Sequence, residues 1–264
     1  MCACRNKLSY NEEREEDYLR LELEFELKKP ELPKDNKSIW ISYLKKVLTD
    51  CNNGKFFNLY FSDGKMKDYV YSIIFTKPEF LKDKIQLGDT KVKMIFSADD
   101  RRKTGLIFYS AFIKNKNVQF RLPNKNIMVL KKINHIYEEL ITNTKVIFKT
   151  ITGGGLVIRE HDKKRNKDIY YTFEDKNFSE HANNIIRAQA LEAGFSQSVS
   201  NHINILPIDG KKVLVKQYGV YIDVTVGKFL MEANQDLLQY FYQAGLGSKH
   251  SMGYGLIDVV SQIE

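Results

Sequence analysis

The stretch LRLELEFEL, residues 19–27, alternates without a break. Leu19, Leu21, Leu23, Phe25 and Leu27 are apolar and every residue between them is charged. A period of two is the signature of a strand with one buried face and one solvated face. The chain must therefore build a sheet that is covered on one side. Two prolines in KKPELPKD end the run. NKSIWISYLKKVLTD follows, with Ile39, Tyr43, Val47 and their neighbours Trp40, Leu44 and Leu48 at helical spacing. Asp35 or Asn36 suits the N-cap.

The pattern continues with strand-like runs at 69–75, 91–98 and 126–133, and a helix over 104–116 between the last two. Strand, helix, strand, strand, helix, strand is the ferredoxin-like order, an antiparallel sheet with two helices on one face. The order then restarts. TKVIFKTI (144–151) is a strand, and GGGLVIREHDKKRNKDIYYTF reads as two short strands around a charged turn. Residues 178–195 read as a helix ended by Gly194. VSNHINILPI and KKVLVKQYGVYIDVTVGK read as strands, 230–244 as a helix, and YGLIDVV as a closing strand. The expected fold is α+β, two tandem ferredoxin-like units. Residues 1–17 form a polar extension, 18–139 the first unit and 140–264 the second, with the boundary near 138–143.

With 43% hydrophobic residues and 12% aromatics, 264 residues suffice for two such cores. The net charge is +8. Residues 1–17 hold three basic and five acidic side chains, so residues 18–264 carry +10. Segment 114–132 has six basic residues and no acidic one. This balance points to a polyanion, nucleic acid or a membrane surface, or else simply keeps the chain soluble. No run of 18 apolar residues or leader-like stretch is present, and Cys2, Cys4 and Cys51 do not form a disulfide framework. The expectation is a soluble, cytoplasmic protein. Cys2 and Cys4 lack a second Cys/His pair at ligand spacing, so no metal or cofactor is expected.

Four of the 15 glycines fall within AGLGSKHSMGYGLIDVV: Gly245, Gly247, Gly253 and Gly255, interleaved with Ser248, Lys249 and His250. The spacing matches neither a Walker loop nor a dinucleotide fingerprint. One reading is a tight helix-to-strand connection. The other is a cradle in which backbone N–H groups approach a phosphate and Lys249 adds charge. The motif G-x-G-x(5)-G-[FY]-G resembles the glycine-rich loop before the last strand of the CRISPR repeat-processing endoribonucleases of the RAMP superfamily. LRLELEFELKKPELP, SYLKKVL and VIFKTITGGGLVIREHDKKRNKDIYYTFED are similar to that family too. The resemblance implies two ferredoxin-like domains. It also implies metal-independent cutting of CRISPR repeat RNA in precursor transcripts (pre-crRNA), with the 2′-hydroxyl as nucleophile and 2′,3′-cyclic phosphate and 5′-hydroxyl ends. The partners it implies are that RNA and CRISPR effector complex subunits, for a monomer or homodimer that touches no membrane.

Such a cut needs a base, an acid and positive charge at the phosphate, roles suited to histidine and to Lys or Arg. Many members place a histidine in or just after the first helix. This chain has Thr49, Asp50 and Cys51 there. Either another residue works, or the protein binds without cutting, as a non-catalytic RNA-binding subunit. Tyr43 and Lys55 resemble the tyrosine and lysine that accompany that histidine, although Tyr43 also lies on an apolar helix face. His161 stands in REHDKKRNK with Arg159, Lys163, Lys164, Arg165 and Lys167. The catalytic candidates are Tyr43, Lys55 and His161. The RNA-binding candidates are Arg159, Lys163, Lys164, Arg165, Gly245, Gly247, Ser248, Lys249, His250, Gly253 and Gly255. His135, His181 and His202 read as structural. Tyr218, Tyr221 and Tyr254 stack bases or fill the core, and the run Gly153–Gly155 is a flexible RNA-side loop or a connection.

Overall fold

A computed structural model describes residues 19–62 and 66–264. The extension at 1–17 lies outside the described residues. The first half contains β1 (Leu19–Leu27), β2 (Glu31–Pro33), α1 (Lys37–Asp50), α2 (Phe57–Phe61), β3 (Tyr69–Phe75), β4 (Glu79–Phe80), β5 (Lys84–Gln86), β6 (Lys91–Ala98), α3 (Thr104–Lys114), β7 (Gln119–Leu122) and β8 (Asn126–Ile136). The second contains β9 (Lys145–Thr150), β10 (Ile158–Asp162), β11 (Lys167–Tyr171), α4 (Phe178–Glu192), α5 (Gln197–Ser200), β12 (Asn204–Gln217), β13 (Val220–Glu232), α6 (Gln235–Ala244) and β14 (Ile257–Ile263).

The main sheets are β3-β6-β1-β8-β7 and β12-β13-β9-β14. Taking the four strands of each strand-helix-strand-strand-helix-strand unit in turn, both run in the order 2-3-1-4, with β7 added beside β8. Every pairing is antiparallel. The fold is thus a duplicated ferredoxin-like α+β architecture, as the element order implied. The β10–β11 hairpin is inserted between β9 and α4. β2, β5 and β4 make a small separate sheet.

The alternation in β1 does what its period requires. Leu21, Leu23, Phe25 and Leu27 are buried, and Phe25 meets Trp40 and Tyr43 of α1 edge-on at 5.5 and 5.1 Å. Each such side chain contributes about 1.5–3 kcal/mol. On the opposite face Glu22 pairs with Lys93, Glu24 with Lys132 and Glu26 with Lys131. Two boundaries differ most from expectation. The run 230–244 is not all helix: Leu230–Glu232 finish β13, and α6 starts after Asn234, whose side chain accepts from the Asp236 N–H. Of the strand-like runs after 198, Val199 and Ser200 fall in α5, and the rest from Asn204 form one long hairpin, β12–β13, turning at Tyr218–Gly219.

The halves meet along a seam rich in backbone contacts. Ser72 Oγ donates to the Thr152 carbonyl (2.8 Å), Lys37 Nζ to the Gly253 carbonyl (3.0 Å), and Gly219 N–H to Asp35 Oδ2 (2.8 Å). Arg20, buried in β1, donates to the Ile257 carbonyl (2.7 Å) and lies 4.6 Å from the Tyr242 ring. Glu138 is 6% exposed and accepts from Gln243 Nε2 (3.0 Å), while its Oε1 makes no hydrogen bond.

Burial pushes Glu138 up from 4.5 to about 7, against the opposing pull of Gln243 and Arg20. Its folded value lies above the unfolded one, so the folded chain holds the proton more tightly. That contribution is full below about pH 4.5 and is lost as pH rises through 7. The shift corresponds to roughly 3 kcal/mol. Glu138→Gln is therefore expected to be more stable than the parent at pH 8, by about 2–3 kcal/mol. The gap should close towards pH 5 in urea titrations.

Candidate nucleic-acid interface

The β10–β11 hairpin sorts its side chains by strand alternation. His161 lies opposite Asp168 and Arg159 opposite Tyr170, so all four share one face. His161 Nδ1 lies 2.9 Å from Asp168 Oδ1, and Arg159 Nη1 donates to both Asp168 oxygens at 3.1 and 3.0 Å. Tyr170 OH donates to Asp168 Oδ2 at 3.3 Å. Burial alone would raise the Asp168 carboxyl, but the His161 hydrogen bond and Arg159 outweigh it and hold the group below its ordinary value. Burial also raises Tyr170, to about 12, with Asp168 adding to the effect. An ionised Asp168 holds Nδ1–H of His161, which leaves Nε2 as the ring nitrogen free for chemistry.

The opposite face anchors the hairpin. His181 of α4 pairs with Glu160 at 2.7 Å and stacks on Tyr171 at 3.6 Å, and Tyr171 OH donates to Glu160 at 3.2 Å. The structural role expected of His181 fits this geometry. Lys163, Lys164 and Arg165 are exposed in the turn, where Asp162 accepts from the backbone N–H groups of Lys164 and Arg165.

The glycine turn corrects the sequence reading. It is not an open cradle. Gly245, Gly247, Gly253 and Gly255 are buried, and a Cβ on them would meet Val70, Val157, Tyr71 and Leu246 respectively. His250 is 4% exposed, donates Nδ1–H to the Tyr69 carbonyl (3.0 Å), and is held neutral by burial, which lowers its pKa. These five residues close the seam, so their expected contact with RNA does not stand. Ser248 and Lys249 stay half-exposed. Lys249 carries its charge close to Arg159 and Asp168. Burial first, then Arg159, pulls its pKa down, and Asp168 partly restores it.

Tyr43 also requires correction. It is 2% exposed, packed between Phe25 and Phe120, and its hydroxyl makes no hydrogen bond. Burial pushes its pKa far up. It is a core residue and offers nothing to a substrate. Lys55 is exposed beyond the C-terminal end of α1, with Nζ over the Phe56 ring. Helix α1 spans 14 residues, so its C-terminal end, which Lys55 follows, lies about 20 Å from Lys37 at the seam. Of the three catalytic candidates, His161 alone has a carboxylate partner and cations around it.

Sequence reasoning missed two things. One is Asp168, which the four-residue KKRN turn sets opposite His161. The larger omission is a lysine-bordered groove that runs over the second half, where Asp209 also lines it, and into the seam between the halves. One cavity of about 650 Å³ is bordered by Lys149, Lys211 and Lys228. A second, of about 280 Å³, is bordered by Lys34, Lys37 and Lys216, with Tyr221 at its edge. The two share Gly153 and Val226. Burial pulls Lys37 down to about 8, and its ammonium sits 4.4 Å from the Tyr254 ring. Tyr254 packs in one cluster with Tyr170, which links the groove to the hairpin face. Tyr254 is therefore core, while Tyr218 and Tyr221 are exposed. Among the described residues no three His, Cys, Asp or Glu side chains converge as metal ligands, and no helix is long and apolar enough to cross a membrane.

Residues 135–259 match the family described as CRISPR associated protein Cas6, C-terminal. A solved structure of a Cas6-related protein from Pyrococcus furiosus superposes with a TM-score of 0.77 at 15% identity, covering 93% of this chain and 100% of that one. A RAMP protein described as binding different RNA substrates gives 0.74 at 18% identity, covering 92% and 100%. A Cas6 product complex gives 0.63 at 12% identity, with the same coverage. No curated protein is similar enough in sequence to count as a match. Residues 135–259 thus carry the signature of the Cas6 C-terminal family, and the chain as a whole has the fold of these solved structures.

Proposed function

We propose that the chain binds CRISPR repeat RNA and cuts it without a metal ion, by attack of a 2′-hydroxyl on the adjacent phosphate. The observation that carries this reading is the His161–Asp168 pair, with Arg159 and Lys249 beside it, on an exposed hairpin face within the residues that match the Cas6 C-terminal family. His161 Nε2 takes the proton of the 2′-hydroxyl as the 2′-oxygen bonds to phosphorus. The phosphorus–O5′ bond breaks and O5′ takes a proton from Lys249, whose lowered pKa makes it the better acid. Arg159 stabilises charge on the non-bridging oxygens. The products are a 2′,3′-cyclic phosphate and a 5′-hydroxyl. The groove lysines track the flanking backbone, so affinity falls with salt. Kindred solved structures are described as product complexes and RNA binders, which supports RNA as the ligand.

A second reading is a non-catalytic RNA-binding subunit. It is favoured by the burial of Tyr43 and by the absence of histidine from α1. Labelled repeat RNA incubated with the protein in EDTA separates the two. The first reading expects cut product within a single turnover. Retained RNA without product supports the second, and no binding at about 50 mM salt refutes both.

A further inference from the structure

The 280 Å³ cavity differs in kind from the rest of the groove. Its walls are apolar, with Ile73, Phe75 and Ile85 from the first half and Leu214 from β12. Two aromatic rings flank it, and both are solvent-exposed. Phe80, on the small β2-β5-β4 sheet, is 63% exposed, and Tyr221, on β13, is 60% exposed. Leu214 is 62% exposed. Large apolar side chains left open beside a cavity mark a binding site. The charged side chains in its lining identify the occupant. Lys34 and Lys216 line it, with Lys37 buried behind them on the Gly253 carbonyl, and no acidic side chain does. Lys216 lies directly opposite Tyr221 in the hairpin register, so a ring face and an ammonium are presented side by side. An apolar cavity with exposed aromatic rings and cations in its lining suits a nucleobase attached to its phosphate.

We infer that this cavity takes one unstacked nucleobase of single-stranded RNA, with Phe80 and Tyr221 as its stacking surfaces and Lys216 on the neighbouring phosphate. The inference rests on the RNA-binding reading above and deepens it: the groove accepts its RNA unpaired at this point. At about 280 Å³ the cavity falls just under the roughly 300–1,000 Å³ of sites for drug-sized ligands, a volume for one ring system and not for a base-paired step. The flap supplying Phe80 is held by ladder pairing of β4 to β5 and by a Lys84–Glu31 ion pair (2.7 Å). Phe80 is thus carried on an ordered element.

The test uses repeat RNAs carrying a single 2-aminopurine, moved along the sequence one position at a time. The intact protein is expected to change the fluorescence strongly at one position in the single strand, and at none in a fully paired duplex. Tyr221→Ala and Phe80→Ala should each weaken single-strand binding about tenfold and abolish that signal. Tyr221→Phe should retain both. Single-strand affinity that is unchanged in both alanine variants, while Lys216→Ala weakens it, overturns the base pocket and leaves the RNA groove intact. Duplex bound as tightly as single strand also overturns the pocket. A protein that binds neither RNA overturns the pocket and the RNA reading together.

Discussion

Replacing Gly153 with alanine is expected to destabilise the protein by about 3 kcal/mol or more, enough to unfold a marginal chain. Backbone strain and steric overlap combine. Gly153 has φ of +83°, where an L side chain is strained by about 1–2 kcal/mol. The overlap costs more. A Cβ there would sit 1.8 Å from the Ile73 carbonyl oxygen, in β3 of the other half. No rotamer change relieves an overlap with backbone, so the seam itself must move. Gly194→Ala is the matched control. Its φ is +92° with nothing within 4 Å of the added methyl, so a cost of about 1 kcal/mol is expected. Urea denaturation compares the two at one pH. Equal midpoints would show that the Gly153–Gly155 run is not a packed seam.

The largest effect on activity is expected at His161. Removing a proton-transfer group costs typically about 10²–10⁴-fold. His161→Ala should therefore lower the single-turnover cleavage rate at least about a hundredfold. RNA affinity should change little, because the lysines and Arg159 remain. Asp168→Asn should cost less than His161→Ala, since the histidine remains but loses the carboxylate that holds Nδ1–H. Tyr43→Phe should leave the rate unchanged, because the hydroxyl it removes is buried and unpaired. A large rate loss in Tyr43→Phe with normal stability would contradict the placement of Tyr43 in the core.

Local pattern made most of the fold legible. The period-two run in β1 and the helical spacing of Trp40, Tyr43, Leu44 and Val47 each required one partner, and the element order supplied the sheet. The same apolar spacing that revealed α1 also put Tyr43 in the core. The resemblance that suggested a catalytic tyrosine could not weigh that burial. The glycine turn misled for a different reason. Glycines are needed wherever backbone must come close to something, and sequence does not say to what. Here it is Val70 and Tyr71, some 175 to 182 residues earlier in the chain, and not a phosphate. The lysine groove was invisible because its walls come from segments far apart in the chain: β9, β12 and β13 around the larger cavity, and the approach to α1, β3, β12 and β13 around the smaller. The His161–Asp168 pair was within reach, since a hairpin turn fixes which residues face one another.

The nucleophile is the central claim, and one substrate change addresses it. Repeat RNA with a single 2′-deoxy nucleotide immediately 5′ to the scissile phosphate, incubated with the protein in EDTA, should bind as tightly as the all-ribose RNA. It should yield no product at that site, while the all-ribose strand is cut to a 2′,3′-cyclic phosphate. Cleavage of the deoxy strand at the same phosphate, or cleavage of either strand that appears only when magnesium is added, would contradict attack by the neighbouring hydroxyl.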